Sequence, residues 1–261
     1  MYIESPQNAR VRAWSQLKSK KVRSRQGLFL VEGRRLVEEL VGSAYELEAL
    51  LWNVAADEPP SHLTEHPKFQ GHVYELSPAA FALVSDTTTP QGLIAIAKLP
   101  ETGSQAGSIS THAVLLDGIQ DPGNVGTLLR SCEAFGFHSV CCGTSTVDPF
   151  APKVVRSAMG GMFRLDLWTE DSVQFIEDWR RNHPDGRVIV AAADADELCY
   201  SADMRRPTLV VIGSEAFGAS DEVRELADLA VAIPMQADTE SLNAAVAGSI
   251  LLYEAYRQGR P

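Results

Sequence analysis

The stretch LLDGIQDPGNVGTLLRSCEAFG, residues 115–136, decides the fold class. It begins inside an apolar run, AVLLD (113–117), crosses a turn rich in Gly, Asp and Pro, and continues with helical periodicity. Val125, Leu128, Leu129, Cys132 and Phe135 recur at the spacing of one helix face, which predicts an apolar stripe packed on a sheet. Asn124 stands where that helix is predicted to begin and Gly136 where it should stop. Further along, SVCC (139–142), RVIVAAA (187–193), TLVVIG (208–213) and LAVAI (229–233) are near-continuous apolar runs rather than alternating ones. That pattern predicts a parallel sheet covered on both faces. The first hundred residues repeat the alternation, with LFLV (28–31), LEALLW (47–52), HVYEL (72–76) and LIAIA (93–97) separated by helical patterns such as GRRLVEELV (33–41). The predicted class is α/β throughout.

ETGSQAGSIS, residues 101–110, is small, polar and without periodicity, so it reads as a linker between domains at 1–100 and 111–261. No run of 18 apolar residues could cross a membrane, and the first residues lack the apolar core of a secretory signal. Cys132, Cys141, Cys142 and Cys199 form no CxxC pair and have no histidines at metal spacing, so they read as reduced, buried thiols of a cytoplasmic protein. The net charge of −11 is unevenly distributed. Residues 1–35 carry nine Lys/Arg against two acids, a net +7, which leaves −18 on the remainder. A basic arm on an acidic body suits an RNA partner. Arg10, Lys20, Lys21, Arg23, Arg25 and Arg34 are its candidate contacts.

Two more strand-to-helix junctions stand out. In LVVIGSEAFGASDEV (209–223) a strand ends at Gly213, and Glu215 and Gly218 occupy a tight loop before a helix opening at Ser220. Glycines there let backbone approach a ligand closely, at the edge where open parallel sheets bind ligands. In AIPMQADTESLNAAVAGSILLYEAY (232–256) a long polar loop precedes a helix with Ser241 as its predicted N-cap. Leu242, Ala245, Val246, Ser249, Leu252, Tyr253 and Tyr256 are predicted to share one face of that helix. Capping leaves Asn243 without a structural task. Neither phosphate-loop signature is present, nor is a Ser-His-Asp set or HExxH.

In this order and spacing, the three segments resemble the three motifs of the SpoU/TrmH family of RNA 2′-O-ribose methyltransferases, within the SPOUT class. DPGNVGTLLRSCEAFG resembles the first motif, VIGSEAFGAS the second and IPMQADTESLNAAVAGSILLYE the third, while VVRSAMGGMFRL (154–165) is similar to the stretch joining the first two. The resemblance implies a deep trefoil knot, a homodimer and S-adenosylmethionine as methyl donor. It implies cofactor contact near Gly213, Glu215, Gly218, Ile233, Met235 and Leu242, and active-site positions at Asn124, Arg130, Glu215, Ser241 and Asn243. Ser214 and Ala219 depart from the second motif, and Ala237 and Asp238 from the third. The first hundred residues resemble, more loosely, the L30e-like substrate-binding extension of ribosomal-RNA members. The implied substrate is therefore 23S ribosomal RNA, with transfer RNA, or an inactive RNA-binding homologue, as the alternatives.

Overall fold

The computed structural model describes residues 1–69, 71–100, 109–236 and 241–259. Most of the predicted linker, 101–108, lies outside the described residues, as do Ala237 and Asp238. The chain forms two compact units, one of Met1–Pro100 with Phe150–Phe163, the other of Glu101–Pro149 with Arg164–Pro261.

The first unit runs β1 (Tyr2–Ile3), α1 (Ala9–Ser15), α2 (Lys20–Gln26), β2 (Leu28–Glu32), α3 (Arg34–Val41), β3 (Leu47–Asn53), α4 (Ser61–Thr64), β4 (Val73–Leu76), α5 (Pro78–Val84) and β5 (Leu93–Lys98). Its sheet has the order β1-β4-β3-β5-β2 and is mixed, because β5 runs antiparallel to both β3 and β2. One face carries Leu51, Leu76, Ile94 and Ile96 against Val11, Trp14 and Leu17 from the α1 side and Phe81 of α5. Leu17 and Phe81 are fully buried. Each such side chain contributes roughly 2 kcal/mol of transfer free energy. Strand β1 escapes sequence reading because two residues carry no periodicity. At the end of β2 the buried Glu32 accepts hydrogen bonds from Ser85 Oγ, from Thr87 Oγ1 at 2.7 Å and from the Asp86 amide at 2.9 Å, so it shapes the loop after α5.

The second unit begins with β6 (His112–Asp117), α6 (Pro122–Ala134) and β7 (Ser139–Gly143). The next helix, α7 (Pro152–Ser157), belongs to the first unit although it lies inside the second half of the sequence. There Phe150 packs on Phe29 with ring centroids 5.0 Å apart, Phe163 packs on Tyr45 at 5.7 Å, and Arg156 pairs with Asp86 at 3.0 Å. The chain then supplies β8 (Asp166–Glu170), α8 (Ser172–Asn182), β9 (Arg187–Ala191), β10 (Glu197–Leu198), β11 (Thr208–Gly213), α9 (Asp221–Leu226), β12 (Leu229–Ala232) and α10 (Ala244–Gly259). All seven strands are parallel, in the order β10-β12-β9-β11-β6-β7-β8. The five predicted apolar runs are the five inner strands. The two that sequence reading missed, β8 and β10, are the edges, where DLWTE and EL are not continuously apolar because they have a sheet neighbour on one side alone.

The helix boundaries correct two expectations. Asp121 is the N-cap of α6, its carboxylate accepting the Asn124 amide at 2.9 Å, so Asn124 sits in the first turn with its side chain free for other work. Gly136 does follow the helix, with φ +78°. In α10 the cap is Asn243 and not Ser241: Asn243 Oδ1 accepts from Ala245 N at 3.0 Å and Val246 N at 3.3 Å. The buried face of α10 is Ala244, Ala245, Gly248, Leu251, Leu252 and Ala255, while Val246 and Tyr253 from the predicted face are about half exposed. Gly248 explains the rotation. A Cβ there would lie 2.5 Å from Ile212 Cδ1 and 2.5 Å from Leu128 Cδ2, so α10 sits hard against β11 and α6 along its small residues.

Candidate active site

Three loops at the C-terminal ends of the central strands build the site. The first follows β6. Thr146 Oγ1 donates to Leu116 O at 2.6 Å and accepts from Gly118 N at 3.0 Å, and Val147 N reaches Ile119 O at 2.9 Å. The buried Asp117 ties this loop to two others, accepting from Ser172 Oγ at 2.7 Å and from Ser220 N at 2.7 Å. Gly143 leaves room for that junction, since a Cβ there would meet Ser172 Oγ at 2.4 Å.

The second loop, Gly213–Ala219, is a tight hairpin closed by Ser214 N to Gly218 O and Gly218 N to Ser214 O, both 2.9 Å. A Cβ on Gly213 would lie 2.0 Å from Ala219 N, and Gly218 has φ +70°, so both positions require glycine. The third loop leads from β12 to α10, and its residues 237–240 are outside the described set.

The three loops are joined by one directed chain of hydrogen bonds. Because Asn243 Oδ1 faces the backbone amides of α10, its Nδ2 points outward and donates to Asn124 Oδ1 at 3.0 Å. Asn124 Nδ2 in turn donates to Glu215 Oε1. A carboxylate only accepts, so the orientation of both amides is fixed from each end. The task that sequence reading could not find for Asn243 is therefore double: it caps α10 and links that helix to α6.

Beside this chain lies a cavity of about 250 Å³. Val190, Ile212, Val231 and Leu251 contribute apolar surface to its lining. Gly213, Glu215, Gly218, Ile233, Met235, Ser241 and Leu242, all expected from sequence, line it together. Asn124 and Asn243 are not in its wall; they brace the loop that is. Among the contributors that sequence reading missed are the end of β9 through Asp194, Arg224 of α9, and Phe217. Asp194 and Arg224 form an ion pair at 3.6 Å. The β9 end could have been found, because neighbouring strand ends of a parallel sheet share one edge. Arg130, on α6, is exposed and makes no hydrogen bond or ion pair among the described residues. The cysteines are buried, and desolvation pushes the thiols of Cys132, Cys141 and Cys199 up, which keeps them protonated and unreactive.

In the first unit the candidate RNA contacts separate. Lys20, Lys21 and Arg25 are exposed. Arg10 is exposed and lies over the Tyr74 ring, 5.2 Å from its centroid. Arg34 is half-buried, its guanidinium reaching Asp57 O at 3.3 Å. Arg23 is a correction: it is 2% exposed and donates to Leu17 O at 2.8 Å and Lys18 O at 2.9 Å. It serves the turn between α1 and α2 and cannot reach a phosphate.

Comparison with known proteins places this geometry among relatives. Residues 111–253 match the SpoU rRNA methylase family, and residues 8–95 match the MRM3-like substrate binding domain. The chain is 32% identical, over 96% of its length and 97% of the relative's, to the 23S rRNA (guanosine(2553)-2′-O)-methyltransferase RlmP of Bacillus subtilis. It is 30% identical, over 96% and 90% respectively, to the 23S rRNA (uridine(2479)-2′-O)-methyltransferase of Streptomyces viridochromogenes. Among solved structures, the SpoU methyltransferase AviRb from Streptomyces viridochromogenes in complex with AdoMet superimposes with a TM-score of 0.85, at 29% identity, covering 97% of this chain and 98% of that one.

Proposed function

Because this chain belongs to the SpoU rRNA methylase family, we propose that it transfers a methyl group from S-adenosylmethionine to a ribose 2′-hydroxyl of 23S ribosomal RNA. The observation that carries the reading is the Asn243–Asn124–Glu215 chain, which fastens three loops at the lip of an apolar cavity. The residues present fit the cofactor: the lining offers apolar side chains for a nucleoside and a thioether chain, and the glycine hairpin offers backbone. The cofactor, when bound, supplies an electrophilic methyl on a sulfonium. Gly213, Gly218, Ile233, Met235 and Leu242 hold it, and Glu215 contributes negative charge beside a cation.

The protein must bring a ribose oxygen in line with that methyl and ease the loss of its proton. Arg130 serves both needs. Its side chain is exposed on the helix that carries Asn124, so it is available to grip the phosphate next to the target ribose and stabilise the developing oxyanion. A guanidinium with a pKa above ~12 acts better through its charge than as a proton acceptor. Asn124 orients the neighbouring polar groups, and Ser241, exposed at the cavity wall, is placed to bond the ribose or the cofactor.

The knot belongs to the same reading, supported by α10 leaving β12 to pack on α6 across β11. A homodimer is supported by an exposed apolar row on α10, Val246, Ile250 and Tyr253, with Phe135, the C-cap of α6, stacked edge-on to Tyr253 at 5.7 Å. The first unit would be the L30e-like substrate-binding part, with Lys20, Lys21, Arg25 and Arg10 toward phosphates. No helix among the described residues is long and apolar enough to cross a membrane; buried reduced thiols support a cytoplasmic setting. The test is transfer of tritiated methyl from S-adenosylmethionine to unmodified transcripts. Label on 23S rRNA, mapped to one ribose, is expected; label on transfer RNA alone would move the substrate, and none on either would remove the activity.

A further inference from the structure

Phe217 is 87% exposed, far more than any other large hydrophobic side chain of the second unit. It stands at the tip of the Gly213–Ala219 hairpin and forms part of the cavity wall. An exposed aromatic on a mobile loop would mean little, but this one is held. Its amide bonds Ser214 Oγ at 3.2 Å, Ser214 and Gly218 close the hairpin beneath it with two bonds of 2.9 Å, and Glu215, two residues before, is fastened to Asn124. Four hydrogen bonds therefore hold the hairpin that presents a bare ring at the mouth of the site. Neither the cofactor chemistry nor the Asn243–Asn124–Glu215 chain uses it.

We propose that Phe217 is a stacking platform for a nucleobase of the RNA substrate, positioning the nucleotide whose ribose is methylated or its immediate neighbour. This rests on the proposed methyl transfer to RNA, since that reaction brings an RNA strand to this lip. Recognition of unpaired RNA relies on bases splayed out and stacked on aromatic side chains, and a phenyl face accepts any base. Two features favour a base over other occupants. With 87% of its surface open, the ring keeps a free face for a base although it also borders the cavity. Phe217 also lies at the strand-end edge, on a different element from the exposed α10 row that suits a second copy of the chain. Phosphate contacts position a strand without choosing how its bases lie; Phe217 supplies the hold on the base that Arg130 cannot.

The test uses the full chain with unmodified 23S rRNA transcript and S-adenosylhomocysteine. F217A is expected to lose about tenfold in kcat/KM for the transcript, as removal of one stacked base does, with calorimetric affinity for S-adenosylhomocysteine within twofold of the parent. F217W should recover most of that loss. The added tryptophan emission of F217W should be quenched by the transcript and unchanged by S-adenosylhomocysteine alone. Quenching by S-adenosylhomocysteine alone, a monomeric F217A where the parent is dimeric, or F217A turnover equal to the parent's would each overturn the stacking role. The quenching arm needs no turnover, so a parent that fails to methylate the transcript defeats the proposed activity and leaves the stacking role to be decided by fluorescence.

Discussion

The two sheets of this protein differ less in strand direction than in what stands at their strand ends, and that difference sorts where chemistry can be built. In the seven-stranded sheet every strand is parallel, so β6, β9, β11 and β12 all deliver their C-terminal loops to one edge, and that edge holds the cavity. In the five-stranded sheet β5 alone runs against its neighbours, and β1 to β4 likewise end at one edge. A shared edge is therefore not enough: in the second unit glycine and polar loops converge there on a cavity, whereas the exposed Lys20, Lys21 and Arg25 of the first unit lie on a helix surface. Each unit spends a buried carboxylate at a strand end, Asp117 in one and Glu32 in the other. Asp117 secures the loop that leads out of the cavity hairpin; Glu32 secures a polar surface loop.

The sharpest way to break this comparison is to spoil the convergent edge at a single atom. Gly213→Ala puts a methyl 2.0 Å from backbone, so the hairpin must open, and calorimetry should find no measurable S-adenosylhomocysteine binding. Next in size, Arg130→Ala should lower kcat by ~10²–10³, the usual cost of removing one oxyanion donor, with cofactor affinity unchanged. Normal turnover would take Arg130 out of the chemistry. Asn243 separates fold from site: Asn243→Asp keeps the cap of α10 but sets an acceptor against Asn124 Oδ1, so activity should fall about tenfold at nearly parental Tm. Asn243→Ala loses the cap as well and should cost about 1 kcal/mol of stability.

The smallest effects sharpen the other half. Replacing Lys20, Lys21 and Arg25 by Gln should flatten the dependence of log K on log salt for RNA by up to about 2 to 3 units, roughly 0.7–0.9 per lost phosphate contact. Arg23→Gln should leave that slope alone and instead destabilise the chain by about 2 kcal/mol, because a buried and a part-buried carbonyl lose a charged donor. If Arg23→Gln flattened the slope as much as its neighbours do, the division between structural and surface cations would be wrong.

Much of this was legible in the residues. The inner strands announced themselves because both faces are covered, and the cavity residues because glycine and polar loops follow apolar runs. What escaped did so for identifiable reasons. The edge strands β8 and β10 are not continuously apolar. Charge counting could not see that Arg23 points inward, since burial depends on where α2 packs and not on the side chain's sign. Asn243 and Ser241 are both good caps, and only the register of α10, set by Gly248 against Ile212 and Leu128, selects between them. Phe217 carried no signal at all, because an aromatic in a turn looks the same whether it is tucked in or held out.

Helix α7 returns to the first unit after the chain has already begun the second. The backbone therefore passes between units more than once, and no single cut separates them. A fragment starting at residue 111 would carry Val154, Val155 and Phe163 with their apolar surfaces bare, while a fragment ending at residue 100 would strip Phe150 from Phe29 and Phe163 from Tyr45. Exchange of the first hundred residues between relatives, as a means of moving substrate choice, must therefore carry residues 150–163 along, for the inheritable module is two stretches of sequence and not one.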